Sequence, residues 1–150
     1  MADTDLIKLY SGKILELAAE IPLSDRLEVA DATVKKRSPL CGSTVTVDVV
    51  IEDGVITAFG QDVKACALGQ AAASVLGSVV IGRTSAEIDR ARDELRAMLT
   101  EDGPVPAAPF DGYEVLIPAR DFRNRHASIM LALEATSEAM SEAAQKSNCA

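Results

Sequence analysis

The stretch Thr44-Val45-Thr46-Val47-Asp48-Val49-Val50-Ile51-Glu52, followed by Asp53-Gly54 and then Val55-Ile56-Thr57-Ala58-Phe59, decides the fold. Val45, Val47, Val49 and Ile51 alternate with Thr44, Thr46, Asp48, Val50 and Glu52. Successive side chains of a strand point to opposite faces, so this alternation makes one apolar face and one mostly polar face. Asp-Gly between two such runs supplies the positive φ angles of a tight hairpin turn. Residues 55–59 are then the returning strand. Upstream, residues 27–34 alternate in the same way with one slip, read as a bulge. The pattern predicts an α+β fold: a three-stranded antiparallel sheet covered on one face by helices.

Away from the sheet the apolar period lengthens to that of a helix. Leu6, Ile7, Tyr10, Ile14, Leu17 and Ala18 recur at helical spacing, interrupted at Ser11-Gly12 and ended by Pro22. This is one kinked helix or two short ones. Residues 65–82 carry no charge, which is the length of a membrane span. Gln70, Ser74, Ser78, Gly69, Gly77 and many alanines make the stretch too weakly apolar for that. It reads instead as a packed core helix over residues 65–80, with Leu68, Ala72, Val75 and Val79 on one face. Thr84 to Glu87 has the form of a capping box. Ile88, Ala91, Leu95 and Met98 follow it on one side of an amphipathic helix. Residues 101–118 hold four of the six prolines and read as a long loop. A last helix is expected over residues 124–144, capped by Asn124, with Ile129, Met130, Leu133 and Met140 inward. Residues 145–150 are expected to fray. One domain spans 1–150, with an ordered core over about residues 5–144.

The net charge of −8 argues against nucleic acid as the main partner, since phosphate binding draws on clustered Lys and Arg. Two Tyr, three Phe and no Trp leave little to stack on bases. Three cysteines, Cys41, Cys66 and Cys149, are too few for a disulfide framework and suit a reducing compartment. The acidic start, Met1-Ala2-Asp3-Thr4-Asp5, is unlike a signal peptide. The expected setting is the cytoplasm, with no membrane partner.

Reactive groups are few. The sequence holds no Walker loop, no dinucleotide fingerprint, no nucleophile elbow and no His-Glu-x-x-His. Cys41 lies in the Pro39-Leu40-Cys41-Gly42 loop before the strong strand. Cys66 falls at the first turn of the small-residue helix, and His126, the single histidine, at the first turn of the last helix. All three sit at element ends, where side chains can converge on one rim. A helix N-terminus favours thiolate, the form that ligates metal or attacks sulfur. Taken singly, a buried Cys is more often a small hydrophobe and a His at a helix start more often a capping or surface group.

Together these pieces resemble the U-type iron–sulfur cluster scaffold family, the relatives of IscU, SufU and the NifU N-terminal domain. Residues 6–10 are similar to the family's opening helix with its terminal Tyr. Pro39-Leu40-Cys41-Gly42-Ser43 resembles its Cys-Gly-Asp loop, and Val63-Lys64-Ala65-Cys66-Ala67-Leu68-Gly69-Gln70 its second-cysteine motif. Gly82-Arg83-Thr84-Ser85-Ala86-Glu87-Ile88 and Arg125-His126-Ala127-Ser128-Ile129 are similar to two further segments, the latter holding the third cysteine. The likeness covers roughly residues 5–140 and is nearer the SufU branch. It implies a site of Cys41, Cys66 and His126 for an iron–sulfur cluster ([2Fe–2S]) or zinc. Ser43 stands where the family has Asp, and His126 where it has the third cysteine. Asp62, Asp121 and Cys149 are the candidates for a fourth ligand. Arg123 and Arg125 favour thiolate or a persulfide, with Cys41 or Cys66 as its carrier. The implied partners are a cysteine desulfurase and recipient apo-proteins, with a homo-oligomer also in scope. The implied role is a scaffold that does no enzymatic turnover. The alternatives are a zinc-bound sulfur acceptor and a metal-free descendant acting as a binding or regulatory subunit.

Overall fold

The central strand is β2 (Thr44–Glu52), hydrogen-bonded antiparallel to β1 (Ala32–Arg37) on one side and β3 (Val55–Lys64) on the other. Asp53 and Gly54 join β2 to β3 with φ of 53° and 79°, the two left-handed residues that a tight hairpin needs. In this computed structural model the described backbone covers residues 12–39 and 42–149, with side chains as far as residue 146. The helical spacing expected over residues 6–10, and Cys41 itself, lie outside the described residues.

Val45, Val47 and Val49 of β2 and Ile56 and Phe59 of β3 form the buried face of the sheet. α4 (Arg123–Cys149) packs against β1 and β2, as an apolar sheet face requires. α2 (Ala67–Val79) lies between α1 (Gly12–Ala19) and α4. Leu68, Ala71, Ala72, Val75 and Leu76 are all buried, so α2 is a core helix. No helix among the described residues is long and apolar enough to cross a membrane. α3 (Ser85–Thr100) begins with the reciprocal capping box: the Glu87 amide donates to Thr84 Oγ1 at 3.1 Å and the Thr84 amide to Glu87 Oε1 at 3.0 Å. Ile88, Ala91, Leu95 and Met98 face inward, as their spacing predicts.

Several features differ from the sequence expectation, and the helix expected over residues 65–80 is the shorter Ala67–Val79. The first strand begins at Ala32 rather than residue 27, because the chain before it crosses the outer face of the sheet to reach Asp48. The register shift lies in the β2–β3 pairing, where Val50 opposes Ala58 and Ile51 opposes Ile56 so that Thr57 of β3 is the extra residue, and not in the first strand. β3 runs on to Lys64, since Gln61 and Val63 continue the pairing with Val47 and Val45. The proline-rich loop closes into a 3₁₀ helix over Phe110–Asp121, with Phe110, Tyr113, Leu116 and Ala119 buried at every third position, the 3₁₀ period. α4 starts at Arg123, which puts Asn124 inside its first turn rather than at a cap, and continues past residue 144 to Cys149. Near its end Lys146 Nζ donates to the Asp31 carbonyl at 3.0 Å.

Asp48 shows why the outer face is not simply polar. The residue is 1 % exposed. Its carboxylate accepts from Arg26 Nε at 2.7 Å and Nη2 at 3.1 Å, from the Leu27 amide at 3.0 Å and from Thr33 Oγ1 at 2.6 Å. Burial pushes the carboxyl up. The bonds from Arg26, Thr33 and Leu27 outweigh that and hold it below the usual carboxylate range. A depressed folded-state value contributes stability that is present above about pH 4 and lost as the pH falls through the folded value. Asp48→Ala leaves the donors of three residues without their acceptor, at a cost of about 2 kcal/mol. Thermal unfolding at neutral pH should drop by about 4–8 °C. In Asp48→Asn the acid-side decline of the midpoint, followed by circular dichroism, should be shallower than in the parent.

Candidate functional site

β3 ends at Lys64 and α2 begins at Ala67, so Cys66 occupies the N-cap position in an extended conformation (φ −68°, ψ 171°). The thiol is half-buried. Burial is the largest influence on it and pushes its pKa up. The Gly69 amide, the Ser128 hydroxyl, the Leu68 amide and the Arg125 guanidinium together outweigh that and bring it below the ordinary thiol value. The two amides belong to the open first turn of α2, whose N–H groups have no helical partner. They are directed at the sulfur without closing a full capping bond. A serine, threonine or aspartate at this place would be read as an ordinary cap. A cysteine turns the same dipole into a means of favouring thiolate.

Ser128 of α4 faces Cys66, with Oγ 3.7 Å from Sγ. With the thiol protonated, the same hydroxyl donates to Ser43 Oγ at 3.0 Å; its single proton faces the thiolate only by turning from that bond. Both serines are buried. Ser43 closes the β1–β2 loop: the Ser38 amide donates to its carbonyl at 2.8 Å, and the Gly42 amide donates to the Ser38 carbonyl at 3.0 Å. Gly42 has a φ of 71°, a conformation glycine adopts without strain. Cys41 is two residues along the chain from Ser43, in the span this loop closes. The first turns of α4, the N-terminus of α2 and the β1–β2 loop are therefore fastened together through two hydroxyls. That close approach needs Gly69, where an added Cβ would lie 2.6 Å from Ser128 Oγ.

His126 is placed differently. Two residues along a helix turn the side chain by about 200°, so His126 and Ser128 leave α4 on opposite sides. His126 Nε2 donates to the Ala119 carbonyl at 2.8 Å. The ring lines a surface cavity of about 730 Å³ with Leu99, Thr100, Asp102, Arg120 and Asp121. The structure thus brings Arg125 and Ser128 to Cys66 and leaves His126 and Asp121 at this separate cavity. Arg123 lines the same cavity. Asp62 lies on the outer sheet face opposite Thr46, where its field acts on Arg26. The side chain of Cys149 lies outside the described residues. Among the described residues no group of three or more His, Cys, Asp or Glu side chains is gathered as a metal site. Ser43 is singled out from sequence only for the residue type it replaces, and its pairing with Ser128 is not expected there. The signal for Ser128 is the three-residue step from Arg125 to Ser128, which puts both on one helix face.

No protein-family model matches the chain, and no curated protein does. Among solved structures, the NifU-like N-terminal protein from Brucella abortus superposes with a TM-score of 0.92 at 41 % identity, covering 95 % of this chain and 99 % of that one. A candidate iron–sulfur cluster assembly scaffold protein for the SUF system, from thermophilic Fervidobacterium islandicum AW-1, superposes with a TM-score of 0.79 at 18 % identity. It covers 89 % of this chain and 98 % of that one, and it shares the fold.

The environment of Cys66 can be read by alkylation. In a Cys41→Ala/Cys149→Ala background, the rate with iodoacetamide should rise with pH about a midpoint below the ordinary thiol value of about 8.5. Ser128→Ala removes one group that favours the anion, so its midpoint should lie higher than the parent's. A parent midpoint at or above that of a free thiol would contradict the geometry.

Proposed function

The chain belongs to the NifU-like N-terminal family, and from that membership we propose that it is a scaffold for iron–sulfur cluster assembly. It accepts sulfur from a cysteine desulfurase, holds a transient cluster and passes it to apo-proteins in the cytoplasm. The observation that carries this is the 41 % identity to the Brucella abortus protein over 95 % of the chain. The thiol at the N-terminus of α2 supplies the matching chemistry. The cluster is cargo, and the protein acts as a holder rather than as a multiple-turnover enzyme.

Sulfur acceptance at Cys66 is an exchange without net redox change. The Cys66 thiolate attacks the terminal sulfur of a donor persulfide, the donor's S–S bond breaks, and the donor thiolate leaves as the new S–S bond forms on Cys66. Arg125, Ser128 and the amides of Leu68 and Gly69 stabilise the anion before the attack. Cys41 is the second carrier and ligand, on the loop that Ser43 ties to Ser128. His126 is the third donor. With Nε2–H given to Ala119, its lone pair sits on Nδ1, and to join Cys66 the ring has to release that carbonyl and the first turn of α4 has to rearrange, since His126 leaves the helix on the side opposite Ser128. Ser43 carries no ionised oxygen at neutral pH and holds the loop instead.

The donor set also supports a second reading. Two thiolates and an imidazole suit zinc, with one position left open for incoming sulfur. Purification without oxygen, followed by iron, zinc and acid-labile sulfide analysis of the parent, Cys41→Ala and Cys66→Ala, separates the two. Iron and sulfide in about equal amounts, lost in both variants, is the expected result. Zinc near one per chain, lost in the same variants, would replace the cluster by the sulfur-acceptor reading. Neither metal after reconstitution would leave the fold as a protein-binding subunit. Release of Ala119 is tested by His126→Ala, which should lower the bound metal while leaving Cys66 alkylation close to that of the parent.

A further inference from the structure

The outer face of the sheet carries a row of cations at the end where Cys66 lies. Arg37 of β1 and Lys64 of β3 both oppose Thr44 of β2, so the three side chains share one face. Two strand spacings put the cations about 10 Å apart. Lys35 opposes Thr46 in the next row, on the same face and about 7 Å along β1 from Arg37. All three cations are exposed. Lys36, between them in sequence, points to the helix side and is paired with Glu138 at 2.7 Å. Among the described residues none of the ion pairs includes Lys35, Arg37 or Lys64. Asp62 is their acidic neighbour on this face and forms no ion pair with them, while its field acts on Arg26.

Like charges on one sheet face repel, so three unpaired cations cost stability there and serve no packing purpose. They stand out the more in a chain of net charge −8. Lys64 is two residues before Cys66, and Arg37 precedes the loop that holds Cys41. Arg125, which favours the Cys66 thiolate, extends the positive field to the sulfur.

We propose that Lys35, Arg37 and Lys64 form a docking surface for a short acidic segment of a partner protein, which brings that partner to Cys66. The occupant is argued from charge and size. Three cations across about 10 Å match a few carboxylates and not a long polyanion. The rest of this acidic chain repels a nucleic acid or an anionic membrane, whose charge extends beyond the patch. Unpaired surface cations of this kind act mainly on the rate of encounter, and their effect fades with salt. The inference stands on the charge pattern and does not require that Cys66 carry sulfur or metal.

Titration of the full chain with a hexaglutamate peptide, followed by amide chemical shifts at low ionic strength, tests it. Shifts should concentrate on β1, Thr44 and Lys64. Affinity should fall as salt rises, and it should weaken about tenfold or more in Lys35→Glu/Arg37→Glu/Lys64→Glu. The neutral variant Lys35→Gln/Arg37→Gln/Lys64→Gln, which avoids new repulsion, should fall between the two and serves if the reversed one does not fold. Arg90→Glu, on α3, should bind as the parent does. Equal binding by the neutral variant, or shifts centred elsewhere, would overturn the proposal. Tighter binding at this face by a thymidine oligonucleotide or by anionic phosphatidylserine vesicles would also overturn it, in favour of another class of partner.

Discussion

The closeness of α2 and α4 at Gly69 is the constraint on which the candidate site depends. A side chain there would drive into the Ser128 hydroxyl and backbone and separate the helices. With hydrogen alone at that position, Ser128 reaches both Cys66 and Ser43, and three chain segments distant in sequence share one point. The same contact orients the open turn of α2, whose amides act on Cys66. Packing and electrostatics are thus one arrangement here. The residue that lets the helices meet is also one whose amide favours the thiolate.

The sheet was legible because its signals are local. Alternating valines and an Asp-Gly turn specify pairing and register within a few residues, and the capping box of α3 is equally self-contained. What escaped was set by contacts between distant parts of the chain. Asp48 has the pattern of a solvent-facing strand residue, yet the segment before β1 folds over it and supplies a bidentate arginine. Residues 101–118 look like a loop because prolines break helical and strand periods alike. A count at intervals of three would have found Phe110, Tyr113, Leu116 and Ala119, and with them the 3₁₀ helix. Of the site, Cys66 at a helix start was readable from sequence. The direction of His126 was not, because it depends on which carbonyl lies beneath the ring.

Ser43 illustrates how a change of one residue type redistributes roles. A carboxylate in that loop would add charge beside the thiols and prefer an ion or a cation for company. A hydroxyl can be buried, donate and accept, and so lock the loop to α4 at no charge cost. The surroundings of Cys66 are correspondingly less negative, and Arg125 and the first turn of α2 add positive charge beside the sulfur.

β1 lies at one end of the strand order, where a sheet can grow by recruiting a strand from another molecule. Its last three residues, Lys35, Lys36 and Arg37, are all cationic. Two such strands brought edge to edge in parallel register would set cations beside cations, and that mutual repulsion discourages the sheets of two copies from fusing in that order. The strand that leads into the thiol loop therefore also disfavours one mode of self-assembly.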